Sequence, residues 1–151
     1  SVKNLVLLDP AGAKGEFASN TVINKLNPFI HKTMEESFEF FEGSMEKPPF
    51  IPPSALAYIA DNNYIKKQEQ YRHLFKDFFN PIEFFDGPIQ SRSQKVTLVW
   101  GENDQLLPIS ECRLWEHILS CDSHILPGIG HMPMVECPKH TYSLIHNTRT
   151  D

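Results

Sequence analysis

Cysteine is scarce. The three present in these 151 residues, Cys112, Cys121 and Cys137, cannot all pair, and none falls in a C-x-x-C spacing. That argues against a disulfide framework or a thiolate metal or redox centre, and it favours a reducing, intracellular setting. Positive charge is equally thin. The formal charge is −5, the pI lies near 5.8 and no Lys/Arg cluster exceeds Lys66-Lys67, whereas a nucleic-acid binder carries a basic patch. No secretory leader, membrane-spanning run, internal repeat or low-complexity tract is visible. What remains, 40% hydrophobic and 22% charged residues, is the composition of an ordered globular protein, long enough for one domain with a core of useful size.

Three apolar runs stand out. Val2 to Leu8 closes on Asp9-Pro10-Ala11-Gly12, Val96 to Trp100 closes on Gly101, and Ser123 to Leu126 closes on Pro127-Gly128. Continuous apolar runs of this length suit strands buried on both faces of a parallel sheet. Between the second and third, Ser110 to Leu119 carries Leu114, Trp115, Ile118 and Leu119 as one helical stripe. Pro138 then opens a last helix supplied with Tyr142, Leu144 and Ile145. Strand, helix, strand, helix predicts an α/β fold of parallel strands joined by crossover helices.

Residues 13–88 differ in character and hold most of the aromatics, among them Phe38, Phe40, Phe41, Phe75, Phe78, Phe79, Phe84 and Phe85. Thr33 and Glu36 form a capping box at one helix start. Pro48-Pro49-Phe50-Ile51-Pro52-Pro53 is a stiff connector. From an N-cap at Ser54 the pattern predicts one long helix to Phe79, with Leu56, Ile59, Ala60, Asn63 and Tyr64 on its inner face. The expected organisation is a core of residues 1–12 and 89–151, interrupted by a helical lid of residues 13–88.

Two loops hold the chemistry. Asp104 follows the second strand in Gly101-Glu102-Asn103-Asp104, and His131 follows the third in Gly128-Ile129-Gly130-His131. Sites in α/β sheets collect at the carboxyl ends of strands. A carboxylate there can fix a histidine tautomer, and an imidazole near its ordinary pKa can take and return a proton. Each residue alone reads first as a turn or solvated polar group; the pairing, one strand–helix–strand step apart, makes catalysis the favoured reading. Glu102 is a weaker candidate. Asp9 reads first as a turn residue and second as a substitute acid. Cys112 and Cys137 lack a strand–turn–helix setting, Ser110 reads as a helix cap, and the remaining histidines, His31, His73, His117, His124, His140 and His146, read as structural.

An acid and then a histidine, each just beyond a buried strand, follow the chain order of the α/β-hydrolase relay. On those residues the chain resembles the C-terminal half of the α/β-hydrolase superfamily. Leu5 to Gly12 is similar to its sixth strand and following turn, Val96 to Asp104 to its seventh strand and acid loop, and Gly128 to Pro138 to its histidine loop and last helix. Lys47 to Pro52, with the helix through Tyr71-Arg72-His73-Leu74-Phe75, resembles the lid of the monoacylglycerol lipase, carboxylesterase and bacterial lipase branch. The resemblance implies hydrolysis of a small-molecule acyl ester, including lipid esters, by a Ser–His–Asp relay. It implies Asp104 as the acid, His131 as the base, and no cofactor or metal.

The family's Gly-x-Ser-x-Gly elbow and oxyanion donors have no counterpart in the sequence. The chain is therefore expected to be inactive alone and to present an open apolar edge on its first strand, to be filled by a missing N-terminal half or a companion chain. Cytoplasmic and membrane-associated locations both remain open. So do carbon–carbon bond, epoxide or haloperoxidase chemistry on the same fold, and a truncated, non-catalytic binding module.

Overall fold

The computed structural model describes residues 3–15, 30–78, 84–89 and 95–147, without the side chains of Asp77 and Phe78. Three strands, β1 (Asn4–Leu8), β2 (Lys95–Gly101) and β3 (Ser123–Leu126), form one parallel sheet in the order β1-β2-β3. The register sets Asn4 beside Lys95 and Leu8 beside Val99, then Leu98 beside Ser123 and Gly101 beside Leu126. All three strands therefore release their chains at one edge of the sheet.

The central strand explains the core. Period-two alternation sends Val96, Leu98 and Trp100 to one face, where α4 (Ile109–Leu119) packs with Cys112, Trp115, Ile118 and Leu119. Val99 faces the other way, with Leu126 and Ile129, and meets Cys137 and Leu144 around the two last helices, α5 (Pro133–Glu136) and α6 (Pro138–Asn147). Both indoles are satisfied. Trp100 Nε1 donates to the Leu107 carbonyl at 3.0 Å and Trp115 Nε1 to the Pro10 carbonyl at 2.7 Å, which removes the cost of burying those donors.

β1 departs from its reading as a doubly buried strand. Leu5 is 40% exposed and Val6, Leu7 and Leu8 are half-buried, because among the described residues β1 pairs with β2 alone. Val2 lies outside the described residues.

The segment between β1 and β2 is pinched at its neck by backbone bonds from Phe85 N to Gly12 O and from Lys14 N to Phe85 O, both 2.9 Å. Inside it, α1 (Met34–Gly43) starts at Thr33, whose hydroxyl accepts the Glu36 N–H. The expected long helix is broken into α2 (Pro53–Ile59), a π-helical turn (Ala60–Ile65) and α3 (Gln68–Phe78). Its cap is Pro52, so Ser54 lies within α2 instead of capping it. The wide turn, marked by Lys66 N bonding back to Asp61 O at 2.9 Å, shifts the side-chain phase. Ala60 stays buried, while Asn63 is turned to solvent. Phe79 lies outside the described residues. Ser110 is likewise not a cap, since Pro108 is the N-cap of α4 and Ser110 lies within the helix. His31, 3% exposed, packs its ring on Tyr64 and Phe40 and meets Ser37 Oγ at 3.0 Å, the structural role expected of it. No helix among the described residues is long and apolar enough to cross a membrane.

Candidate active site

The strand ends bring three loops together. After β2 the chain turns back on itself, with Asp104 N donating to Gly101 O at 3.3 Å. Asp104 Oδ1 then accepts the amides of Leu106 at 2.9 Å and Leu107 at 2.8 Å, an aspartate holding its own turn. The side chain is fully buried, and Oδ2 lies 2.8 Å from His131 Nδ1. The histidine loop is laid against this turn by Asn103 N to Ile129 O at 2.9 Å, Glu102 N to Leu126 O at 3.0 Å and Gly128 N to Glu102 Oε2 at 3.0 Å. Glu102 is thus a loop tie. The fit is close enough to require glycine twice: a Cβ at Gly101 would overlap the Gly130 carbonyl oxygen, and one at Gly130 would stand 2.7 Å from Glu46 N.

Asp9 comes in from the end of β1. Its φ of +40° is the left-handed region that a non-glycine residue enters only at a cost. That conformation carries the carboxyl group under β2, where Oδ1 accepts the Gly101 amide at 2.8 Å. Oδ2 is buried with no hydrogen-bond partner among the described residues. Of the two readings of Asp9 the turn residue holds; the substitute acid does not, since Asp104 meets His131 and Asp9 only stands beside that pair.

Burial, with the charge of Asp104 added, pushes the Asp9 carboxyl up to about 7. For His131, burial works to lower the pKa, but the hydrogen bond and charge of Asp104, helped by the charges of Asp9 and Glu136, outweigh it and hold the ring above its ordinary value. The imidazole keeps 21% exposure, and among the described residues no hydrogen bond engages Nε2.

Asp9 and its proton have a measurable consequence. A folded pKa above the unfolded one means stability present below the unfolded value near 3.8 and lost as pH rises through about 7. Asp9→Asn keeps the acceptor for Gly101 and imitates the protonated acid. It is expected to raise the melting temperature at pH 8 relative to wild type and to leave it little changed at pH 4. Roughly three pH units correspond to an upper bound of about 4 kcal/mol. Equal melting shifts at both pH values would contradict a buried, protonated Asp9.

The Asp9, Asp104 and His131 donor atoms lie within 4.8 Å of one another, so they are the described residues able to approach a cation jointly. Three of the roughly four acceptor positions of the Asp104 carboxylate are already taken, two by N–H groups and one by the imidazole. The set fits a proton relay better than a metal centre. Cys112 is buried, and burial raises its thiol, consistent with a core residue. His73, His117, His124, His140 and His146 are exposed and stand apart from the site.

One residue escaped sequence reasoning. Glu136, at the end of α5, accepts amides of the histidine loop, Gly130 at 3.0 Å and Met132 at 3.3 Å, and of the loop after α1, Glu46 and Lys47 at 2.9 Å. Ser44 O accepts the His131 amide at 2.9 Å. Nothing in the spacing of Glu136 signalled the tie to the loop after α1, since Glu46 and Lys47 are far away in sequence. Beside the pair runs a groove lined by Phe40, Gly43, Ser44, Gln105 and Leu106.

No family model matches the chain. Among characterised proteins it is 28% identical over 148 residues to Lipase 3 of Moraxella sp. strain TA144, covering 93% of this chain and 46% of that protein. It is 27% identical over 143 residues to Lipase 1 of Psychrobacter immobilis, covering 89% and 44% respectively. The chain therefore spans just under half the length of these relatives. Among solved structures, a meta-cleavage product hydrolase from Pseudomonas fluorescens IP01 superposes with a TM-score of 0.73 over 98% of this chain and 56% of that one, at 18% identity.

Proposed function

Because this chain is a partial α/β-hydrolase fold similar in sequence to bacterial lipases, we propose that it supplies the acid and the base of an acyl-ester hydrolase whose nucleophile lies on a segment outside these 151 residues. The observation that carries this reading is the 2.8 Å contact between Asp104 Oδ2 and His131 Nδ1 at the carboxyl ends of the strands.

The division of labour follows from the geometry. Two backbone amides hold Asp104 Oδ1, which leaves Oδ2 to accept a proton bond from His131 Nδ1–H. That bond places the exchangeable site on Nε2, the nitrogen able to receive a serine proton during attack and return it to the leaving alkoxide. As the imidazolium forms, the buried carboxylate stabilises it, and the raised His131 pKa is the same interaction seen at equilibrium. Residues 13–88 act as the lid. The groove of Phe40 and Leu106 beside the pair supports an acyl chain as the apolar part of the substrate.

A second reading, hydrolysis of a carbon–carbon bond, draws support from the superposition on a meta-cleavage product hydrolase. The complete gene product separates the two. Faster turnover of p-nitrophenyl and glyceryl esters than of a vinylogous 1,5-diketone is expected, and the reverse preference would replace the ester reading with the second.

A further inference from the structure

Glu136 is more than a loop staple. Its carboxylate meets four backbone amides, about the number that its lone pairs can accept. Two of them, Gly130 and Met132, flank His131. The other two, Glu46 and Lys47, belong to the loop leaving α1 in the proposed lid. Bonds to an ionised acceptor are roughly twice as strong as neutral ones, and no other described side chain bridges these loops so fully. The two backbones also touch directly: His131 N donates to Ser44 O, and Gly130 admits Glu46 N and the Met45 Cα only because it has no Cβ. Ser44 and Met45 are buried at the junction.

We propose that Glu136 is a positioning residue that fastens the histidine loop to the lid loop at residues 44–47, so that lid seating and His131 placement are one variable. A lid lifted at this loop takes hydrogen-bond partners away from the segment on both sides of His131, and a seated lid sets the imidazole against Asp104. The consequence is a hydrolase whose base is in place only when the lid is closed. This claim about coupling bears on turnover only through the catalytic reading given above.

Two variants of the complete gene product test it, by amide hydrogen exchange at residues 44–47, NMR titration of His131 and steady-state kinetics. Glu136→Gln replaces one acceptor with a donor facing the same amides. Lys47→Pro removes a lid-side N–H and the lysine cation and leaves the carboxylate intact, so it is read against Lys47→Ala, which removes the cation alone. Glu136→Gln and Lys47→Pro are both expected to speed exchange at Glu46 and lower the His131 pKa, with kcat falling on the order of 10- to 100-fold and KM little changed, as for a slightly misplaced catalytic group. Lys47→Pro, at an exposed position, decides the matter if Glu136→Gln does not fold. A His131 titration unmoved in Lys47→Pro, whatever the exchange shows, overturns the coupling. A shifted titration in a protein without hydrolytic activity would preserve the coupling and sink the catalytic reading instead.

Discussion

Replacing His131 by alanine in the complete gene product is expected to lower ester turnover by about 10⁴- to 10⁶-fold, the range in which serine hydrolases lose activity when a relay member is removed. Alanine leaves the Asp104 carboxylate buried and without its imidazole, and leaves the proposed serine hydroxyl without a group to take its proton. The loss should fall on kcat, because in the proposed mechanism the imidazole acts on the reacting atoms and the groove of Phe40 and Leu106 is untouched. Asp104→Asn should cost about 10⁴-fold, since an amide at Oδ2 no longer selects the tautomer with the proton on Nδ1. Residues 1–151 alone should show no detectable hydrolysis of p-nitrophenyl esters, because the proposed nucleophile lies outside them. Stopped-flow or steady-state assays on p-nitrophenyl butyrate measure all three. A His131→Ala enzyme within tenfold of wild type would remove the base from the account.

The second large effect is structural. Gly101→Ala is expected to destabilise the fold by more than about 3 kcal/mol, at or beyond the upper end of ordinary overpacking. The obstacle is backbone: a Cβ at this position runs into the Gly130 and Ile129 carbonyl oxygens, which cannot rotate aside as a flexible side-chain end could. Gly101 also presents its amide to Asp9 Oδ1, so displacing it disturbs the acid beneath the pair as well as the histidine loop above. Urea unfolding of wild type and variant gives the difference. A loss below about 1 kcal/mol would mean that the two loops can separate without strain.

Much of this molecule could be read in advance where one local cause dominates. The run from Val96 to Trp100 reads as a buried strand because every side chain in it is apolar or β-branched, and it is the best buried strand of the sheet. Thr33 with Glu36 marks a helix start because the capping bonds are made within the turn itself. Asp104 and His131 could be paired because each follows directly on a strand, and the parallel register brings the strand ends together. Features set by distant backbone were not legible. The π-helical turn at Ala60–Ile65 rotated Asn63 outward against the helical pattern. Glu136 is one acidic residue among many until Glu46 and Lys47 are placed next to it. Asp9 looked like a turn former and is one, but its left-handed φ also drives a carboxyl group into the buried site.

The most direct test of the proposed acid and base is covalent labelling of the complete gene product with a fluorophosphonate, which reacts with a serine only when a neighbouring base activates it. Wild type should be labelled rapidly at one serine upstream of these residues, Asp104→Asn slowly and His131→Ala not measurably. Labelling of His131→Ala at the wild-type rate would contradict the account.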